Sequence, residues 1–431
     1  MHHTLLIIGV FLIAIYMVYT YFPTKEAFSG PDEYKNSDKY KKQVQLLTDM
    51  YSGTASARRP VSELLAKNIM PDAEQNFVNF YALGCRFTGY IGPMKNGFFD
   101  PNIAVQAAVN SGCRVFILEI DYIDKCHSGG IAHYPRLVVR DIQGKLITDP
   151  SGETHKCNTA DHSNIKDVCS AINNYAFASS CQNASDPVVI VLYFLRKPLG
   201  AFNSTAVLDY YSAVAKSLVP FQDRLLKNEI AGGMFNRQKQ EGQLLINNIT
   251  NYNGKVLIFS NANTSGFRGS AYATTEDLDY FVNMRLSYRQ TQLGITENNS
   301  GSTFGTLETA EDFLIIPSDR ISEMVEQTKM SWTACFSKDP SQIVSQGNYH
   351  TILSNYGVNC IPIQLFDANN QYVFTDTTFT DDTSKETYSF KKYSFIPKPE
   401  ALRYVKPPVV IPAQPNTVLV DAKGGHLRSP I

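Results

Sequence analysis

The chain has 431 residues, 43% apolar and 18% charged, and its 39 Lys plus Arg against 40 Asp plus Glu leave a net charge of −1. That balance carries no basic excess, so nucleic acid is not an expected partner, and the length admits one large or two ordinary domains. None of the eight cysteines forms a Cys-x-x-Cys pair, which removes the commonest structural-zinc and thioredoxin-like arrangements.

The first element is apolar. Residues 5–22 hold no charge and no proline, close to the minimum for a helix that spans a bilayer. Tyr16, Tyr19 and Tyr21 suit the headgroup layer at its far end, and Pro23 stops it. A cleaved signal would start with a basic residue and end in a small-x-small site, and neither is present. The expectation is a single-pass transmembrane anchor at 1–24. Lys25, Lys35, Lys39, Lys41 and Lys42 follow it, a bias that favours a cytosolic main domain. Sequons at Asn183, Asn203, Asn248, Asn263 and Asn298 do not argue the other way, because a chain rich in Asn, Ser and Thr gives several by chance. Residues 25–70, polar at first with a weak helical pattern near 41–50, are expected to be a juxtamembrane stalk.

From there strands and helices alternate. Residues 76–87 are an apolar, aromatic strand. Asp100 as N-cap and Pro101 at N1 open a helix that Gly112 closes. Residues 113–123 are a strand, 135–141 a short extended run, and Gln143-Gly144 a turn. Ser163 caps a helix to 177, and 186–196 is the most strand-like run in the chain. Helices are expected at 204–226, 275–284 and 319–330, strands at 255–260 and 357–367, and a polar loop at 294–305. Strands separated by crossover-length gaps argue for a parallel α/β fold, and their number and span favour a (β/α) barrel over a doubly wound sheet. No glycine-rich phosphate loop follows the first strand. From 395 the prolines Pro397, Pro399, Pro407, Pro408, Pro412 and Pro415 imply an extended tail to 431 that wraps or projects. The barrel is thus expected at 71–394.

Barrel chemistry sits at the C-terminal ends of the strands. The strand at 113–123 ends in Glu119-Ile120-Asp121, and alternation points both carboxylates one way, an arrangement suited to a divalent cation or to acid–base work. Cys126, Cys157, Cys169 and Cys181 crowd one stretch and could pair in an oxidising space, or remain ordinary thiols; Cys113 and Cys360 sit in apolar runs. Cys126, His127, His155, Cys157 and His162 are a conceivable zinc set at no standard spacing, with surface histidines the plainer reading.

Residues 107–121 (AAVNSGCRVFILEID) resemble the "GCR..eLD" segment of phosphatidylinositol-specific phospholipase C and the phospholipase-C-like phosphodiesterases. The runs 135–146 (PRLVVRDIQGKL), 186–193 (DPVVIVLY) and 355–366 (NYGVNCIPIQLF) resemble later segments of the same family, in order. The overall style, with an apolar N-terminus and a proline-rich tail, resembles chains encoded by large nucleocytoplasmic DNA viruses. The resemblance implies a phospholipase-C-like (β/α) barrel and a phosphoric diester hydrolase with two catalytic histidines and, in some members, calcium as cofactor. Carried over by position, Glu119 and Asp121 match the metal carboxylates. The first histidine would fall at 82–90, where Cys85, Arg86 and Phe87 stand; the second falls at Arg140; the third-strand glutamate falls at Tyr193 or Phe194. Arginine cannot act as a general acid at neutral pH, yet Arg86 and Arg140 can fork onto a phosphate. His133 lies near enough in sequence to Arg140 to serve as a substitute.

Three readings follow. One is a degenerate barrel that binds phospholipid head groups, or a partner protein through the proline-rich tail. Another is a phosphodiesterase active through substituted residues. The third is a structural membrane protein of a virion. Each places the chain at a membrane, virion or host internal.

Overall fold

The structure is a computed structural model that describes residues 33–51, 58–95, 97–122, 133–147, 164–226, 243–274, 276–287, 305–406, 419–420 and 426–427. The expected anchor at 5–22 lies outside them, and so do Ser163 and the proposed zinc set Cys126, His127, His155, Cys157 and His162. Within the described residues no helix is long and apolar enough to cross a membrane.

Eight parallel strands form the barrel in the described residues: β1 (Gly84–Arg86), β2 (Val115–Tyr122), β3 (Val188–Phe194), β4 (Val256–Ser260), β5 (Met284–Ser287), β6 (Gly305–Thr309), β7 (Trp332–Phe336) and β8 (Ile363–Gln364). Each pairs with its neighbour in chain order from β1 to β7, and β8 pairs back onto β1 through Ile363 with Cys85 and Gln364 with Arg86. The ring closes between β7 and β8 at a bridge from Ala334 to Cys360, where Cys335 N–H donates to the Cys360 carbonyl at 2.9 Å and Cys360 N–H to the Thr333 carbonyl at 3.1 Å. This confirms the barrel expected from the alternation of elements. β2 and β3 are buried along their whole length, as strands covered on both faces require.

Helices cover the outside: α1 (Asp38–Tyr51), α2 (Pro101–Ser111), α3 (Asn164–Ala176), α4 (Thr205–Ser217), α5 (Ile321–Met330) and α6 (Gln346–Tyr356), with shorter turns between them. The signals at the ends of α2 act as expected. The Asp100 carboxylate accepts from Ile103 N–H, Pro101 occupies the first turn, and Gly112 takes the left-handed conformation at φ 97°.

Several expectations differ. The helix expected at 204–226 ends at Ser217, and the strand expected at 357–367 is only Ile363–Gln364. Residues 76–87 are not one strand: a 3-10 turn leads to Phe80–Ala82, which pairs antiparallel with Phe395–Pro397, and only then does β1 begin. The sequence reading missed β5, β6 and β7. Their runs (MRLS, GTLET, WTACF) are only four or five residues long, too short for the alternation of MRLS to stand out, and closure of the ring buries GTLET and WTACF along their whole length although neither is a continuous apolar run. The helix expected at 275–284 is only Leu278–Phe281, because Met284 already enters β5. The segment expected to be a stalk is docked onto the barrel over its described part. The Tyr40 hydroxyl donates to Asp100 Oδ2 at 2.6 Å, the Tyr51 hydroxyl to the Leu365 carbonyl at 2.8 Å, and Arg58 to the Ser111 carbonyl.

The start of the expected tail is likewise part of the fold. Phe395 and Ile396 are buried, Phe395 packs on Phe77, and Asn79 ties the strand down through Lys398 N–H and Tyr404 N–H. Phe77, Phe259 and Trp332 pack edge to face beside them. Lys398 is fully buried, its ammonium 3.4 Å from the Thr328 carbonyl. Leu419–Val420 and His426–Leu427 form a small antiparallel pair. Among the described cysteines, Cys85, Cys113, Cys169, Cys181, Cys335 and Cys360 are all free thiols, and Cys113 and Cys360 are buried as expected.

Candidate functional site

The four residues singled out from sequence meet at the C-terminal end of β2, in two separate groups. The inner group is Arg86 with Glu119. Arg86 ends β1 and Glu119 lies on β2, and Arg86 Nε donates to Glu119 Oε1 at 2.9 Å with both side chains 4% exposed. The guanidinium is sandwiched between the rings of Phe87, 4.4 Å from its centroid, and Phe336 at the end of β7, 4.7 Å away. Tyr193, the register partner of Glu119 on β3, packs against Phe336 from the other side. Burial pushes the Glu119 carboxyl above the ordinary glutamate value, and the charge and hydrogen bond of Arg86 pull it back only in part. Among the described residues the pair borders two cavities of about 10 Å³, one beside Arg86, Phe336 and Gln364 and one beside Glu119, Thr88 and Val138. Each has room for about one water molecule.

The outer group is built on Asp121, which is fully buried. Asp121 Oδ2 accepts from Arg140 Nε at 2.5 Å, Oδ1 accepts from Arg196 Nε at 2.8 Å, and Oδ1 also takes Tyr122 N–H at 2.6 Å. Arg140 stands on the hairpin that follows β2. There the strand Pro135–Leu137 pairs antiparallel with Ile120–Tyr122, and Arg140 bridges Leu146 across the turn. Its Nη1 donates to the Gly144 carbonyl at 2.6 Å. Arg196 lies two residues beyond β3, lies 4.4 Å over the Tyr122 ring and donates to the Tyr122 carbonyl. One carboxylate thus holds two guanidiniums at the rim.

Glu119 and Asp121 stand two residues apart on β2 with different partners, and among the described residues a divalent cation does not fit the donors around them. A calcium ion takes six to eight oxygen ligands. Here each carboxylate already carries guanidinium donors, the third-strand position is Tyr193, and no group of three or more His, Cys, Asp or Glu among the described residues could hold a metal ion. Arg86 is turned onto Glu119 and two aromatic rings rather than into an open mouth. His133 packs edge-on to Tyr122 at 4.7 Å, and Tyr122 packs in turn on Tyr210 of α4, so this histidine stands on the helix side of β2 and not beside Glu119. Sequence reasoning missed Arg196 and Phe336. Arg196 had a signal, a charge closing the run DPVVIVLYFLR at a strand's C-terminal end. Phe336 had none, since it lies on a strand that the sequence does not announce.

No protein-family model matches this chain, and no curated protein sequence matches it. Solved structures do. L. pealei PLC21 is similar at 14% identity and a TM-score of 0.46, over 78% of this chain and 39% of that one. S. officinalis PLC21 is similar at 15% identity and a TM-score of 0.45, over 86% and 45%. A calcium-dependent phosphoinositol-specific phospholipase C from a Gram-negative bacterium, Pseudomonas sp, is similar at 14% identity and a TM-score of 0.43, over 76% and 96%. The chain therefore spans less than half of the two PLC21 chains and nearly all of the bacterial one.

Proposed function

We propose that this chain is a membrane-tethered barrel of the phospholipase-C-like phosphodiesterase kind that binds a phospholipid head group, or a partner protein at the membrane, and does not cleave a phosphodiester. The observation that carries the reading is the Arg86–Glu119 pair. At the position where the resemblance calls for a histidine and a metal carboxylate, the chain has a buried ion pair held between two aromatic rings. A guanidinium there is a permanent cation and supplies neither a general base nor a general acid at neutral pH. The apolar run at 5–22 supports the membrane setting, virion or host internal.

The test is turnover by the full chain in phosphatidylinositol vesicles, with and without calcium, read as release of water-soluble inositol phosphate. The expected result is none above the blank in either condition, with binding of soluble inositol phosphate that weakens in Arg140→Ala. Turnover that disappears in Glu119→Ala would overturn the reading in favour of a phosphodiesterase working through substituted residues. Absence of both turnover and binding would favour a structural protein of the membrane or virion.

A further inference from the structure

Beyond β8 the chain forms a hairpin in which Thr378–Thr380 pairs antiparallel with Thr387–Ser389. Among the described residues it joins no larger sheet, so each of its strands has an open edge. Asp381 N–H donates to the Glu386 carbonyl at 2.9 Å and sets the phase of the ladder. Alternation from there turns the backbone of Phe379 toward Tyr388 and aims the N–H and C=O groups of Thr378 and Thr380 away from the partner strand. Neither threonine finds a backbone partner on that side among the described residues, and both are exposed. Unpaired strand groups of this kind are a template for another chain.

Thr378–Thr380 borders a groove of about 430 Å³. Its other wall is Ile69, Pro71 and Glu74 with the turn from Pro399 to Arg403, and no residue of Thr387–Ser389 lines it, so the groove lies on the free side of the strand. The lining is acidic, with Glu74, Asp381, Asp382 and Glu400 against one cation, Arg403. That cation is already neutralised: Arg403 Nη1 donates to Glu74 Oε2 at 2.9 Å, and the guanidinium lies over the Phe379 ring at 5.6 Å. Lys385 comes no nearer to Asp382 than 3.7 Å, and both side chains are largely in water, where such a pair contributes little. Hydrogen bonds from Ser384 and from Thr383 N–H hold the Asp381 carboxylate below its ordinary value, so it stays ionised at neutral pH.

We infer that this groove takes an extended basic peptide of a partner protein, added as a strand along Thr378–Thr380 with its cationic side chains toward Asp381, Asp382 and Glu400. Backbone pairing supplies affinity, and the carboxylates select the sign of the charge. The inference rests on the partner-protein arm of the reading above and names that partner's chemistry. The groove stands at the other end of the barrel from Arg86 and Glu119. Its Pro399–Arg403 wall follows Lys398, whose ammonium reaches the Thr328 carbonyl near the end of α5, just ahead of Trp332 at the start of β7. A peptide bound there leaves the C-terminal ends of the strands accessible.

The probe is a fluorescein-labelled peptide of alternating lysine and threonine, titrated with the full chain and read by anisotropy. Saturable binding is expected, weakened by salt, and the glutamate–threonine counterpart should not bind. A lysine–threonine peptide N-methylated along one edge keeps the charge but loses the strand donors, so it too should fail. Asp382→Lys with Glu400→Lys should weaken the lysine peptide by about tenfold or more. Thr380→Pro removes an outward N–H without touching the ladder and should weaken it by up to about tenfold. Amide exchange of the parent needs no variant to fold: Thr378 and Thr380 should gain protection when the peptide binds, while Phe379, already paired, changes little. Equal binding of the two charge types or of the N-methylated peptide, no effect of the two lysine substitutions, or no saturable binding would overturn the inference. Inositol phosphate release in the same preparation would overturn the inactive reading while leaving the groove standing, so the two failures are distinguishable.

Discussion

Replacing Arg86 by methionine leaves Glu119 buried without its counter-ion. Both side chains are 4% exposed, so water cannot take over the lost interaction, and breaking a pair of this kind costs about 3–5 kcal/mol. The cation's attraction to the Phe87 and Phe336 rings goes with it, about 1 kcal/mol each, offset by the good packing of methionine on aromatic rings. The cost depends on pH. The Glu119 carboxyl is already above its ordinary 4.5 because of burial, and Arg86 is what restrains it. A folded-state pKa raised above the unfolded one gives stability that is fully present below the unfolded value and lost as pH rises through the folded one. Without Arg86 that window extends further upward, so Arg86→Met should be worst at neutral pH and recover as the pH falls toward 5. The double variant Arg86→Met with Glu119→Leu removes both charges and should be neutral, or up to about 4 kcal/mol more stable than the single variant's parent. Urea unfolding at several pH values measures all three. If Arg86→Met stays within about 1 kcal/mol of the parent at pH 7, or the double variant is as unstable as the single one, the pair is not the buried, mutually dependent unit described above.

Two further outcomes are expected. Lys398 is fully buried and its ammonium is pushed down to about 7 from 10.5 by desolvation, so the unfolded chain holds the proton more tightly and this group's contribution to stability falls as pH drops from about 10.5 to about 7. Lys398→Met should therefore gain up to about 4 kcal/mol at pH 7 and flatten the slope of stability against pH in that range; a parent and variant with parallel pH profiles would contradict the assignment. At Gly84 an added Cβ would lie 2.6 Å from Cys360 Sγ and 2.9 Å from Val115 Cβ, where β1, β2 and the closing segment before β8 approach one another. Gly84→Ala should lower stability by about 1–3 kcal/mol through overpacking, read from the shift of the urea midpoint.

Much of the barrel was legible locally. The runs at 113–123 and 186–196 are long, apolar and β-branched, and they became β2 and β3. Asp100, Pro101 and Gly112 bounded a helix because capping chemistry acts within a few residues. Glu119 and Asp121 shared a face because strand alternation is a property of the backbone. The docked 38–51 helix was not legible as such. Its tyrosines find Asp100 and Leu365, 60 and 314 residues away, and a sparsely apolar helix looks like a stalk until those partners are known.

The sequence by itself determined the alternation that closes into a barrel, the position of two carboxylates at one strand end, and the absence of histidine where the resemblance expects the first one. Only the tertiary structure decided what those carboxylates do. Arg86 reaches Glu119 over 33 residues and Phe336 over 250, and Arg196 reaches Asp121 over 75. Whether a carboxylate binds a cation or a guanidinium depends on which strand ends the ring brings beside it. Among the described residues, closing the ring set the chain's own cation, held by two aromatic rings, against Glu119.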